Sequence, residues 1–301
     1  MKKHLLAAAI TVLAAGSAIA QANDTLAKIK SSGAITLGVR ESSGALAYTL
    51  GDGKYVGFHT EMAERIARDL QKKLGLSKLE IKYQPVTSQN RIPLLINGTI
   101  DLECGSTTNN EARQKQVAFA PTTFVTNVRM AVKKNSHIAS LTQLAGKAVA
   151  TTTGTTSVQL LRAHEKARGV DFRELYGKDH ADSFLLLETD RAVAFVMDDN
   201  LLAGLIASSK SPADYAIVGE VLSIEPIAIM LRRDDPEFKK LVDDTIRGLM
   251  ASGEVERLYQ RWFMSPIPPR QTSLNFPMSE LLRELLKKPS DAPAEAYNRK
   301  S

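Results

Sequence analysis

Residues 87–95 (TSQNRIPLL) open as a turn rich in Ser, Gln and Asn and become a short apolar stretch that predicts a helix over residues 91–96. Asn97-Gly98 is a turn signal. Residues 101–104 then read as a short strand that runs into Gly105, Ser106, Thr107 and Thr108. This grammar recurs. Residues 35–39 predict a strand, residues 60–74 an amphipathic helix with Met62, Ile66, Ala67 and Leu70 on one face, and residues 79–86 a second strand. Strands alternating with helices leave mainly one solution, an α/β fold with largely parallel sheets. In such sheets ligands sit on the loops that follow the strands. Two of those loops are polar, with Arg91 in the first and Arg113 after the second. Two fixed cations among hydroxyls suit a small anion.

The grammar restarts at residue 141. A short helix, a Gly146-Lys147 turn and a strand over residues 148–150 lead into residues 151–157, which hold one glycine and six hydroxyl side chains. A helix over 158–167, a helix over 182–189, an apolar strand over 192–197 ending at Asp198-Asp199, a helix over 201–207 and a strand over 216–218 follow. The Gly154-to-Ser157 run predicts a helix N-cap, and the free N–H groups of that terminus suit a carboxylate. Two amphipathic helices, residues 236–250 and 254–263, precede a Pro-rich stop. A last short helix over 281–286 and a frayed end from Pro289 are expected.

The first residues carry two lysines, an apolar run over 5–15 and small residues at Ala18 and Ala20, which predicts a signal peptide over 1–22 cleaved after Ala20 or Ala22. The run is too short to span a bilayer, and no cysteine stands nearby for a lipid anchor, so a soluble periplasmic product is expected. The lone Cys104 excludes an internal disulfide and predicts a buried thiol. Formal charge is +6, but the basic residues are dispersed; nucleic-acid binding needs a clustered patch, so none is expected. His59, His137 and His164 show no metal-ligand spacing. No P-loop or Ser-His-Asp order is found, and neither cofactor nor metal is expected.

TSQNRIPLL followed by NGTIDLECGSTTNNEARQKQVAFA resembles the periplasmic solute-binding proteins of ABC transporters for polar amino acids, and within them the glutamate/aspartate-binding branch. The resemblance covers nearly the whole chain and fades at the C-terminal tail. It implies a two-lobed type II periplasmic binding protein fold, each lobe a mainly parallel sheet flanked by helices, joined by a two-strand hinge. Lobe 1 would comprise 23–126 and 226–301, and lobe 2 residues 127–225. It implies a monomer that closes on L-glutamate or L-aspartate and delivers it to an inner-membrane ABC permease.

Residue by residue, the resemblance assigns the ligand α-carboxylate to Thr108, Arg113, Thr155 and Thr156, and the ammonium to Ser106 and Asp198. Arg40, Ser88, Arg91 and His180 would read the acidic side chain. Taken alone, Asp198 would be a helix N-cap and His180 a cap or surface residue. Two departures stand out. The Pro-Phe pair usual after the first loop is replaced by Gly44-Ala45-Leu46-Ala47-Tyr48, so the aromatic that would cover the ligand is lost unless Tyr48 takes its place. Ile224 to Ile229 carries Ile and Ala where an aromatic and Gly are common. The rivals are a dehydratase-like enzyme on the same fold, with Glu103 and Glu41 as its available carboxylates, and a ligand-sensing partner of a membrane receptor.

Overall fold

Asp24 starts the first helix, Thr25–Ser32 (α1), by accepting from the Ala27 amide, and Gly33 ends it in the left-handed region. The computed structural model describes residues 24–298; the expected signal segment and its cleavage point lie outside the described residues. Ala34–Val39 (β1) buries Ile35, Leu37 and Val39. Ser42–Ser43 (β2), Ala47–Gly51 (β3) and Lys54–Val56 (β4) form a small antiparallel sheet. Phe58–Lys73 (α2) turns Met62, Ala63, Ile66, Ala67 and Leu70 inward, as its spacing predicts. Glu80–Pro85 (β5), Arg91–Ile96 (α3), Leu102–Glu103 (β6), Glu111–Gln114 (α4) and Val117–Phe119 (β7) complete the first pass.

Phe124–Lys133 (β8) carries the chain into a second sheet, built with Ala148–Thr152 (β9), Thr156–Arg168 (α5), Arg173–Gly177 (β10), His180–Glu188 (α6), Ala194–Asp198 (β11) and Asp199–Ser208 (α7). Tyr215–Ile227 (β12) brings it back. Met230–Arg232 (β13) then inserts into the first sheet, and Pro236–Ala251 (α8), Glu254–Phe263 (α9) and Glu280–Lys287 (α10) follow.

The two large sheets share one plan. Their orders are β5-β1-β6-β13-β7 and β10-β9-β11-β8-β12. In each the fourth strand runs against the other four: β13 is antiparallel to β6 and β7, and β8 to β11 and β12. The remaining pairs are parallel. The reversed strands are the ones by which the chain enters each lobe from the other.

Those crossings are β8 and β12, which pair antiparallel from Phe124↔Ile227 to Tyr215↔Lys133, with a register shift between Val218 and Ser223. One end of this ribbon is rooted in the first lobe, where Phe124 stacks on Tyr259 and Phe263 of α9. The other end, at Val128, Met130 and Val132, joins an apolar cluster with Leu144, Val149, Leu161, Phe172 and Val196. The lobes also meet directly. Leu201 and Leu202 of α7 share an apolar cluster with Leu46 and Phe58. Gly204 and Gly44 approach so closely that a Cβ on Gly204 would stand 2.9 Å from the Gly44 Cα. This is a closed arrangement.

Residues 289–298 are not frayed, contrary to expectation. The Thr122 amide donates to the Ser290 carbonyl and the Ala294 amide to the Asn109 carbonyl. Asn298 exchanges two hydrogen bonds with the backbone of Ile224 in β12, at 2.8 Å each. Polar composition hid this segment, because its partners are backbone groups far away in sequence.

Candidate functional site

The expected site residues stand at or beyond the ends of six strands, β1, β5 and β6 of the first lobe and β9, β10 and β11 of the second. Arg40 follows β1, Ser88 and Arg91 follow β5, and Ser106, Thr108 and Arg113 follow β6. From the second lobe, Thr155 and Thr156 follow β9, His180 follows β10 and Asp198 closes β11. The fold brings all ten together, and all ten are buried, Arg40 completely.

The arginines are differently held. Arg40 gives one amino group, Nη2, to Asp179 at 2.5 Å and to the His180 ring at 3.3 Å, while its Nε and Nη1 have no partner. Arg91 is less satisfied: Nε and Nη1 are unpartnered, and the closest carboxylate oxygen, on Glu103, is 4.0 Å away. The Ser88 hydroxyl is also buried and unpartnered. Buried donors of this kind are rare in folded proteins and call for a partner. Arg113 is fixed by the Thr108 carbonyl at 2.8 Å and reaches the Gly154 carbonyl of the opposite lobe at 3.4 Å.

The electrostatics follow from this crowding. Burial, then Arg113 and Arg40, push the Arg91 guanidinium down to about 9, still charged at neutral pH. Burial, then Glu225 and Asp199, push the Asp198 carboxyl well above the usual range, although Arg91 and Arg113 pull against that. Burial and Arg40 push His180 down to about 3, so it is neutral. Its Nε2 faces the Arg40 donor and must accept, which leaves Nδ1 to donate to the Thr152 hydroxyl at 3.0 Å.

Four readings of single residues are corrected. The Thr155 side chain does not cap α5; its hydroxyl donates back to the Thr152 carbonyl at 2.7 Å, and that of Thr156 donates to Glu225 at 3.0 Å. The first amides of α5 therefore keep their potential toward the cleft. Asp198 makes no side-chain cap on α7; the neighbouring Asp199 instead binds Thr126 and Asn127 of β8. Tyr48 does not cover the cleft. It meets Trp262 edge-on at 6.1 Å and donates to the Pro268 carbonyl. His180 is not a surface residue either, being wholly enclosed at the start of α6.

Sequence reasoning passed over Asp179, Ser42 and Glu225. Asp179 lies inside the same KDHADSF run that drew attention to His180. Glu103 was singled out, but only as an acid for a rival chemistry; it is fully buried and accepts from Thr107 at 2.5 Å. Glu41 is exposed. Among the described residues no cluster of three His, Cys, Asp or Glu could hold a metal. A surface groove of about 1030 Å³ lies elsewhere, between α6, α7 and Arg270.

Residues 35–265 match the family of bacterial extracellular solute-binding proteins, family 3. The chain belongs to this family. Among solute-binding relatives, it is 47% identical over 292 residues to the glutamate/aspartate import solute-binding protein of Escherichia coli strain K12, covering 95% of this chain and 97% of that one. It is 46% identical over 273 residues to the L-glutamate/L-aspartate-binding protein of Pseudomonas aeruginosa, covering 90% of each. A mutant arginine-binding protein from T. maritima superposes with a TM-score of 0.70 at 28% identity, over 79% of this chain and 98% of that structure. The solute-binding protein thus has the type II periplasmic binding protein fold. The family match ends at Ser265, so the tail that grips Asn109 and Ile224 lies beyond it.

Proposed function

We propose that this protein binds glutamate and aspartate between its lobes, outside the inner membrane, and hands them to an ABC permease. Two observations of different kinds support the reading: the names of relatives at 46–47% identity, and the chemistry of the cleft. The observation that carries it is the pair of buried guanidiniums, Arg40 and Arg91, with unpartnered N–H groups beside the unpartnered Ser88 hydroxyl.

In this reading Arg113, Thr108 and the amides at the start of α5 take the α-carboxylate, since a helix N-terminus favours an anion. Asp198 and Ser106 take the ammonium. A buried carboxyl pushed upward in the free protein returns to its charged form when a cation arrives. Arg40, Arg91, Ser88 and His180 face the side-chain carboxylate, and neutral His180 spares that carboxylate's partners a third repelling charge. The lobes divide near 126/127 and 225/226, within the β8 and β12 ribbon. The protein acts as a monomer and performs no chemistry: Glu103 is held through one oxygen by Thr107 and faces Arg91 with the other, and Glu41 is exposed. Among the described residues no helix is long and apolar enough to cross a membrane.

Titration calorimetry with glutamate, aspartate, glutamine and asparagine tests this. An amide turns a donor toward donors and leaves a buried cation unpaired, which costs on the order of 2–5 kcal/mol. Both acidic ligands should bind roughly thirtyfold to several-thousandfold more tightly than the amides. Arg91→Ala should erase most of that gap. Glutamine binding as tightly as glutamate, or equal weakening of both by Arg91→Ala, would refute the assignment.

A further inference from the structure

We propose that Asp179 is a positioning residue that couples recognition of the side-chain carboxylate to closure of the lobes. The inference rests on the binding of an acidic amino acid described above. Asp179 ends the loop between β10 and α6, at the N-cap position of α6, yet its side chain caps nothing there. An Asp at this position usually caps its helix, and this one does not. Both of its oxygens face the opposite lobe instead. Oδ1 accepts from Arg40 Nη2 at 2.5 Å and Oδ2 from the Ser42 hydroxyl at 2.8 Å. The Ser42 oxygen in turn accepts from the Ala181 amide, the second residue of α6, at 3.2 Å. The start of α6 is therefore docked on Arg40 and on Ser42 of β2 by four hydrogen bonds, two of them on one carboxylate.

This contact exists only when the lobes are together. It leaves Arg40 with Nε and Nη1 free while its third nitrogen is tied. An arginine anchored at one corner presents its remaining N–H groups in a fixed direction, and less rotamer freedom is lost when a ligand carboxylate meets them. When the lobes part, Asp179 leaves and Arg40 loses that orientation. The ligand's grip and the lobe–lobe latch thus form and fail together. Removing one partner of a buried charged pair acts mainly on the release rate.

Stopped-flow binding of glutamate to the full protein tests this, with Asp179→Asn as the first variant. The release rate should rise about tenfold while the association rate changes less than about threefold. Ser42→Ala, which takes one donor from Asp179 and leaves Arg40 untouched, should raise release in the same direction by less. The double variant should show less than the product of the two effects, because both act through one carboxylate. Unchanged release in both single variants, or slower release in Asp179→Asn, overturns the inference; slower release is the result if Asp179 only repels the ligand's anion. Failure of the wild type to bind glutamate overturns this inference together with the functional reading. Glutamate binding to the wild type with release unaltered in the variants overturns the latch alone.

Discussion

His59 lies beneath the cleft and carries its own pH signature. Its Nδ1 meets the Gly105 carbonyl at 2.6 Å, so that nitrogen donates, and Nε2 accepts from the Thr123 hydroxyl at 2.8 Å. Burial pushes the ring down to about 4. The unfolded chain takes up a proton as pH falls below about 6.5, whereas the folded protein does not until about 4. Stability tied to His59 is therefore whole above about 6.5 and is lost toward pH 4, at about 1.4 kcal/mol per pH unit within the window. His180 works in the same direction, and Asp198, pushed upward, works against both. Chemical denaturation between pH 6.5 and 4.5 should show that His59→Gln flattens the curve by about one proton relative to wild type. An identical slope would mean that the folded ring titrates normally. At this scale the sequence was informative about residue type and order. The resemblance assigned the ten expected site residues motif by motif, and the fold sets them at strand ends and on the loops and helix starts that follow. The sequence did not reveal Asp179, Ser42 or Glu225, because their partners lie 69 to 139 residues away.

Elements were legible where one face is apolar and opaque where it is not. The α2 helix was visible from its spacing, and α3 was read with the bounds it has. The β3–β4 hairpin was missed although Gly51-Asp52-Gly53 is a strong turn signal; all three have positive φ. The edge strand β10 (RELYG) alternates too weakly to stand out, being mostly half-exposed. A glycine between two elements makes the next prediction. Gly154 has φ 80° on the turn that enters α5, and a Cβ there would stand 2.7 Å from the Gln89 Cα of the other lobe. Gly154→Ala thus meets both backbone strain and a lobe–lobe collision, on the order of 1–3 kcal/mol. Glutamate affinity should fall roughly five- to 150-fold in calorimetry. An unaltered affinity would show that the loops at Gly154 and Gln89 need not meet for binding.

Over the whole molecule, two sheets of the same order are tied by one antiparallel ribbon, and a tail beyond the family's matched span grips both the first lobe and the ribbon. Sequence order revealed the repeat but not the tail, whose role rests on backbone pairing rather than on side-chain pattern. Cys104 follows β6 directly and is fully enclosed in the first lobe, its thiol pushed well above the ordinary range by burial. Being the sole thiol in the chain, it is a clock already wired into the molecule. A thiol reagent can reach it only when the sheet around it breathes. If that breathing requires the cleft to come apart, glutamate at a hundred times its Kd should slow labelling roughly a hundredfold. Labelling at an undiminished rate under saturation would mean that the first lobe breathes on its own, with the ligand still held.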